Sequence, residues 1–200
     1  MWIGSFTPAQ VNALGFWFAT ENRWLRGQMR TIHRRLIDAL NAEPEEMLLV
    51  EQVGVHEQYG RPRDGRVGCR GGVAIPNVLY CVPVEDSETP PAPRDTHAWV
   101  VKTPERVELG AGPFEFTGYL HLPEGASLED TLGIVRKRFV ALTEVTIRRL
   151  DDKEFYQEYP VVVINGRRVE YVVPAETRCD GPTADGSAAI ATVEADPAAL

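Results

Sequence analysis

The chain has 200 residues, of which 44% are hydrophobic and 25% charged, and its formal net charge is −8 at pH 7. This composition predicts a globular chain with a buried core, and the excess of acid argues against general affinity for nucleic acid, which requires basic residues at the phosphates. No apolar run reaches the ~20 residues that span a membrane, and the N-terminus lacks the features of a secretory signal. We therefore expect a cytoplasmic protein without membrane insertion.

The three cysteines, Cys69, Cys81 and Cys179, are widely spaced and include no Cys-x-x-Cys pair. Neither a disulfide scaffold nor a zinc finger fits this spacing. Cys81 lies in the apolar string VLYCVPV and is interpreted as a small buried hydrophobe.

The first half opens with two alternating segments, residues 14–20 and 23–31, which predict a hairpin. A helix is predicted over residues 32–41 with Ile32, Leu36 and Leu40 inward, and Pro44 ends it before a strand at residues 47–55. The glycine-rich basic segment 61–72 lacks a phosphate-loop motif and is interpreted as a hairpin loop. A final hairpin carries IPN at its turn.

The second half repeats this order after a linker. Residues 87–97 are polar and proline-containing, and they predict a semi-rigid connection. A strand at residues 106–110 and an alternating segment at 114–122 form a hairpin, and Ser127 and Asp130 resemble the start of a helix. A buried strand follows at residues 139–147, and the final hairpin is assigned a type I′ turn at Asn165-Gly166.

The two halves therefore suggest a duplicated unit. Apolar positions match without a gap from the helix to the next strand, with Leu36, Leu40, Met47 and Val53 corresponding to Leu128, Leu132, Phe139 and Val145. The expected fold class is α+β, mostly β, with two β-β-α-β-β-β units, each a bent antiparallel sheet or partial barrel with one short helix. The first unit covers residues 8–86 and the second 98–177, and residues 178–200 form an acidic tail expected to be disordered.

The segments GYLHLPEGASLEDTL, RFVALTEVTI and VVVINGRRVEYVVP resemble a family of small uncharacterised bacterial domains with the pattern GxLxLPxGxxLxDxL, FxxLTxV and a terminal valine-asparagine hairpin. The resemblance covers residues 103–176 well and residues 14–85 in outline. It implies a fold unit and a bacterial origin and carries no activity.

A looser resemblance connects residues 164–172, INGRRVEYV, to the second motif of Sm-like barrels, and VELGAGPFEFTGYL to the first hairpin of such a barrel. Sm-like proteins that bind RNA place an Asp and an Asn after their G-x-L, where this chain has LPEGAS and then a helix. This departure puts RNA binding in doubt.

A basic stretch in the first half is a candidate interaction face. Arginines occur there with an aromatic and a histidine and no acid, which suits an anion or an acidic partner surface, although such arginines also serve as a solvated face. The candidate residues are Arg23, Trp24, Arg26, Arg30, His33, Arg34 and Arg35, with Arg167 and Arg168 as second-half contacts.

No catalytic residue, metal ligand set or cofactor motif emerges from the sequence. The four histidines are scattered, and no serine or cysteine lies on a nucleophile elbow. We therefore predict a protein that is not an enzyme, an adaptor or assembly scaffold that binds a protein partner through exposed sheet edges and the basic face. The alternatives are an Sm-like module for single-stranded nucleic acid or a sensor of an anionic small molecule. The sequence is compatible with a homo-oligomer and does not define the oligomeric state.

Overall fold

The computed structural model describes residues 12–31, 35–42, 46–56, 67–84, 101–129, 133 and 139–175. These residues are mostly β, with ten strands and the helix α1 (Leu36–Ala42). The strands are β1 (Asn12–Ala19), β2 (Trp24–Thr31), β3 (Met47–His56), β4 (Val67–Ala74), β5 (Tyr80–Val84), β6 (Lys102–Ala111), β7 (Phe114–Pro123), β8 (Phe139–Arg149), β9 (Asp152–Asn165) and β10 (Tyr171–Pro174).

All ten strands form one antiparallel sheet in the order β10-β6-β7-β8-β9-β5-β1-β2-β3-β4. The expectation of a mostly β chain is therefore confirmed. The described strands do not form a closed barrel, because the order is linear and ends at β10 and β4. The hairpins β1–β2 and β6–β7, predicted from alternation, both form.

The strand order is the same in the two halves of the sheet. The first half runs β5-β1-β2-β3-β4 and the second half β10-β6-β7-β8-β9. We call two residues counterparts when they hold the same position in this order and register. Three equivalent cross-strand pairs show the correspondence. Phe16–Gly27 in the first half corresponds to Val107–Gly118 in the second, Phe18–Cys81 to Leu109–Val172, and Met47–Ala74 to Phe139–Asn165.

Both halves also bend at the same place. The register between β2 and β3 shifts at Gly27, and the register between β7 and β8 shifts at its counterpart Gly118. A Cβ at Gly27 would lie 2.2 Å from the Val50 side chain, so the glycine permits the close approach of the two strands. Gln52 and Glu144 occupy the left-handed region, at φ of 53° and 51°, as expected at a β-bulge.

Two hydrophobic cores lie on opposite faces of the sheet where the halves join. Along β5, Tyr80 and Val82 belong to the core of the second half, while Cys81 between them belongs to the core of the first half. The same alternation occurs on β9, where Ile164 contacts the second-half core and Val163 the first-half core. Cys81 is buried and free, which confirms its interpretation as a core hydrophobe.

The predicted turn at Asn165-Gly166 is wrong. Strand β9 ends at Asn165, a 3-10 turn covers Gly166–Arg168, and β10 then pairs with β6 instead of β9. The first half has the same kind of turn at Ile75–Asn77, so the sequence difference between IPN and NGRR does not change the geometry. The Asn165 side chain accepts a hydrogen bond from the Arg167 backbone N–H, which closes the tight turn locally.

Other expectations are corrected or lie outside the described residues. Part of the segment predicted as a glycine-rich loop is strand β4, paired with β3 from Val67 onward. Helix α1 has Leu36 and Leu40 buried, as predicted, and Leu128, Glu129 and Gly133 have helical backbone in the segment of the second predicted helix. The linker at residues 87–97 and the tail at 178–200 lie outside the described residues. No helix in the described part of the chain is long and apolar enough to cross a membrane.

Candidate functional site

The two halves meet at a seam formed by β5 and β9. Tyr80 faces Ile164 and Cys81 faces Val163 across this antiparallel pair, and the Asn165 backbone N–H donates to the Leu79 carbonyl at 2.9 Å. The ladder is short, so side chains must contribute much of the contact between the halves.

Asn165 supplies the polar part of the seam. Its side chain is 1% exposed, and its amide nitrogen donates to the Ile75 carbonyl at 3.1 Å and the Val78 carbonyl at 3.0 Å. Ile75 begins the 3-10 turn of the first half, and Val78 directly follows that turn. Because a buried polar group is costly unless it is hydrogen-bonded, Asn165 fixes the position of one half against the other.

Tyr80 supplies the main apolar contact. Its ring packs edge-on against Phe114, with centroids 5.2 Å apart, and against Phe116, at 5.1 Å. Trp24 lies beside it, with centroids 6.4 Å apart. Edge-to-face packing of this kind adds to the free energy of area burial, so a first-half side chain completes the second-half core.

A second contact joins α1 to β8. The Asn41 amide donates to the Phe139 carbonyl at 3.0 Å, and the Phe139 backbone N–H donates to the Asn41 oxygen at 2.9 Å. Phe139 is 6% exposed and packs into the first-half core. At the surface, Arg168 forms an ion pair with Glu21 across the same junction.

Strand β10 is the counterpart of β5, but among the described strands it pairs with β6 alone and has no strand on its outer side. Tyr171 and Val173 are 38% and 44% exposed, whereas their counterparts Tyr80 and Val82 are buried at the seam. Burial, together with the nearby carboxylates of Glu115 and Glu108, raises the pKa of Tyr171. This end of the sheet is therefore both apolar and acidic.

The opposite end, formed by β3 and β4, is the counterpart of β8 and β9. Met47 and Val55 are 49% and 41% exposed, and their counterparts Phe139 and Ile147 are buried. Among the described strands β4 pairs with β3 alone. Both ends of the sheet thus expose apolar side chains whose counterparts in the other half are buried, and of the two counterparts at this end Phe139 packs into the first-half core.

Two of the predicted basic residues form ion pairs with acids in the described part of the chain. Arg30 pairs with Glu51 at 3.0 Å, and Arg35 pairs with Asp38 at 2.6 Å. Trp24 is buried in the second-half core. The remaining candidates are distributed as follows: Arg23 is exposed before β2, Arg26 lies 5.7 Å from the centre of the Trp17 ring, Arg167 is exposed, Arg168 is at the seam, and His33 and Arg34 lie outside the described residues.

Sequence reasoning missed the seam. The sequence pattern predicts a turn at Asn165 and indicates no contact between Tyr80 and the second half. A signal was present, because Tyr80-Cys81-Val82-Pro83 and Tyr171-Val172-Val173-Pro174 share the spacing Tyr-x-Val-Pro. That spacing marks both edges, but burial alone separates the covered edge from the exposed one.

The described residues hold no candidate metal site. No group of three or more His, Cys, Asp or Glu residues among them is arranged to hold a metal ion. One open pocket is lined by Glu144, Thr146, Glu158 and Tyr159 together with Val145 and Pro160. Comparisons with protein-family models, with curated proteins and with solved structures found no match.

Proposed function

We propose that the chain is a non-enzymatic adaptor or assembly protein that binds another protein by strand addition at the β10 edge. The observation that carries this proposal is the exposure of Tyr171 and Val173, whose counterparts Tyr80 and Val82 are buried in the core of the other half. A partner strand at β10 would cover the same pair of side chains in the same way.

The physical chemistry of an edge strand supports this mode of binding. A strand at the end of a sheet presents backbone N–H and C=O groups that a further strand can pair. Side chains at alternate positions then supply selectivity. At β10 those alternate positions are Tyr171 and Val173, and the carboxylates of Glu108 and Glu115 lie beside them.

The proposal includes an origin for the fold. We regard the two halves as copies of one β-β-α-β-β-β unit that resembles a partial Sm-like barrel. The common strand order, the bulges at Gly27 and Gly118 and the paired 3-10 turns support this view. Duplication would place one seam, between β5 and β9, inside the chain. It would leave the counterpart strands, β10 and β4, at the two ends of the sheet.

The alternatives receive less support from the described residues. Single-stranded nucleic acid needs unpaired cations and exposed aromatic rings, but Arg30 and Arg35 are paired with acids and Trp24 lies in the core. The same ion pairs reduce the charge available to an anionic small molecule. Salt-sensitive binding of single-stranded RNA, lost in an Arg23→Ala/Arg26→Ala variant, would favour the nucleic-acid alternative over the adaptor.

Affinity capture with matched variants tests the adaptor function. The wild-type chain and two double variants are used as bait in lysate from the source cells. Tyr171→Glu/Val173→Glu blocks the β10 edge, and Val101→Glu/Leu150→Glu places the same charges at exposed apolar residues elsewhere in the second half. We expect a partner that the control retains and the β10 variant loses.

Thermal unfolding of each variant establishes that it is folded before capture. Equal capture by all three baits would contradict the proposal, because binding would then not involve the β10 edge. A partner lost in the control alone would contradict it as well.

A further inference from the structure

We propose that the β10 edge binds the β4 edge of a second copy of this chain, so that chains join head to tail. This inference rests on the proposed function, since it names the partner of the same edge. It is carried by the seam, which already joins the two kinds of surface inside one chain.

The seam pairs β5 with β9, and each has a counterpart at a free end of the described sheet. β10 is the counterpart of β5, and β4 is the counterpart of β9. The β10 end can therefore pair with a β4 end in the way that β5 pairs with β9 at the seam. A contact of this type is heterologous, and it repeats from chain to chain instead of closing a two-fold dimer.

The exposed apolar residues fall where this contact requires them. Tyr171 and Val173 are exposed at one end, and Met47 at the other. Their counterparts Tyr80, Val82 and Phe139 are all buried in the core of the opposite half. A second copy placed as the halves are placed would cover all three exposed side chains.

The seam also defines the register of the contact. Tyr80 faces Ile164 and Cys81 faces Val163. The equivalent register puts Tyr171 opposite Val73 and Val172 opposite Gly72 of the second copy. Gly72 is exposed and carries no side chain, and the Met47 side chain lies over it, so a strand that pairs with β4 would cover Met47.

Charge at the two ends is consistent with this pairing. Glu108 and Glu115 lie near Tyr171 at the β10 end. At the β4 end, Arg30 and Arg70 share the single carboxylate of Glu51, and both arginine side chains are mostly exposed. Because exposed charges are screened by salt, the contact weakens as ionic strength rises.

The contact between chains is weaker than the seam within a chain. The counterpart of Asn165 is Ala74, which has no amide to donate to the neighbouring turn, and the counterpart of Val163 is Gly72, which fills less of the core. Association therefore depends on protein concentration, while the seam, which joins two parts of one chain, does not.

Complementation between two blocked variants tests the head-to-tail arrangement. Tyr171→Glu/Val173→Glu blocks the β10 end, and Met47→Glu/Leu49→Glu, at two exposed residues on one face of β3, blocks the β4 end. Both variants carry acid at the blocked end, so that the blocked ends do not attract each other. Sedimentation velocity over a range of concentrations is measured for the wild-type chain, for each variant and for their equimolar mixture.

We expect the wild-type chain to form species larger than a dimer as its concentration rises, whereas each variant alone stays a monomer. The mixture should form a one-to-one dimer in which the intact β10 end of one variant binds the intact β4 end of the other. A wild-type monomer at every concentration would overturn the proposal. Dimers formed by the β4-blocked variant alone would also overturn it, because they would indicate a β10-to-β10 contact.

A gain of contact tests the register. Ala74→Asn places an amide at the counterpart of Asn165, where it can donate to the carbonyls of Gly166 and Val169 in the next chain. We expect Ala74→Asn to lower the concentration at which association begins, while Ala74→Asp, which cannot donate, does not. Equal association by the two variants would contradict the proposed register.

The outcomes separate this inference from the adaptor function. A chain that stays monomeric but loses a captured partner in the β10-blocked variant would retain the adaptor function and lose the head-to-tail contact. A monomeric chain without any partner sensitive to that variant would lose both.

Discussion

The inner seam and the two outer ends of the sheet are built from counterpart residues but differ in what covers them. At the seam, Tyr80 is 1% exposed and packs on two phenylalanine rings. At the β10 end, Tyr171 holds the same register position and is 38% exposed. The difference arises from what packs against each ring, since both tyrosines occur in the same spacing, Tyr-x-Val-Pro.

The side chains of β5 and β10 therefore fall into two groups: those that pack within their own half of the sheet and those that are covered only by a second half. Side chains on the core face of β5 and β10, such as Cys81 and Val172, pack into their own half. Side chains on the other face, such as Tyr80 and Tyr171, depend on a second unit. Substitutions at counterpart positions should therefore have unequal effects on stability.

The largest expected inequality is between the two tyrosines. Tyr80→Ala removes a buried ring from the second-half core and should cost about 4 kcal/mol of unfolding free energy, the range found for buried aromatic truncations. Tyr171→Ala should cost less than about 1 kcal/mol, as for an exposed site. Urea unfolding of dilute protein measures both, and equal losses would contradict the assignment of seam and end.

Asn165 should rank next. Asn165→Ala leaves the carbonyls of Ile75 and Val78 without their side-chain donor, which should cost about 3 kcal/mol. Asn165→Asp keeps an acceptor for the Arg167 N–H but places a carboxylate against two carbonyls, so it should be at least as destabilising. A stable Asn165→Asp variant would show that Asn165 only closes its own turn.

Cys81 reports on opening of the seam. Burial raises the pKa of its thiol well above the usual value, so the thiolate that reacts with disulfide reagents is scarce in the folded chain. In a Cys69→Ser/Cys179→Ser variant, we expect no reaction at pH 9 until the chain unfolds. Reaction at the rate of an exposed thiol would show that the seam opens readily.

The same thiol gives the seam a pH dependence with a definite sign. The unfolded chain loses the Cys81 proton near pH 8.5, while the folded chain keeps it. Stability from this group is therefore fully present below that pH and is lost as pH rises toward the folded pKa. In the Cys69→Ser/Cys179→Ser background, a further Cys81→Ala change should remove this part of the decline in unfolding free energy.

The smallest expected effect is at the surface ion pair of the seam. Arg168 and Glu21 are partly exposed, and such pairs contribute about 0.5 kcal/mol. Arg168→Ala should therefore change the urea midpoint only slightly, and Arg168→Lys still less. A loss of unfolding free energy as large as that of Asn165→Ala would show that the ion pair, and not burial, stabilises the seam.

Much of the sheet could be predicted from local pattern. Alternation of apolar residues gave both first hairpins, and the buried strand starting at Phe139 was correctly placed. The pairing of β10 with β6, and of β5 with β1, could not be predicted in the same way. Those pairs join strands far apart in the chain, and no local turn signal reports them.

The candidate site was harder to predict for a related reason. Asn165-Gly166 has the local chemistry of a tight hairpin turn, but Asn165 is buried by contacts with Ile75 and Val78, about ninety positions away. The basic stretch had the opposite problem. Its charge was visible in the sequence, whereas the acids that pair with Arg30 and Arg35 depend on strand pairing and on helix geometry.

Hydrogen exchange measured at low and high protein concentration tests the central claim most directly, namely that the ends of the sheet are uncovered counterparts of the seam. We expect the seam amides of Cys81 and Asn165 to be protected at both concentrations. The amides at the outer edges of β10 and β4 should exchange quickly in dilute protein and become protected together as concentration rises. Protection of β10 in a dilute monomer, or protection of one edge without the other, would contradict the claim.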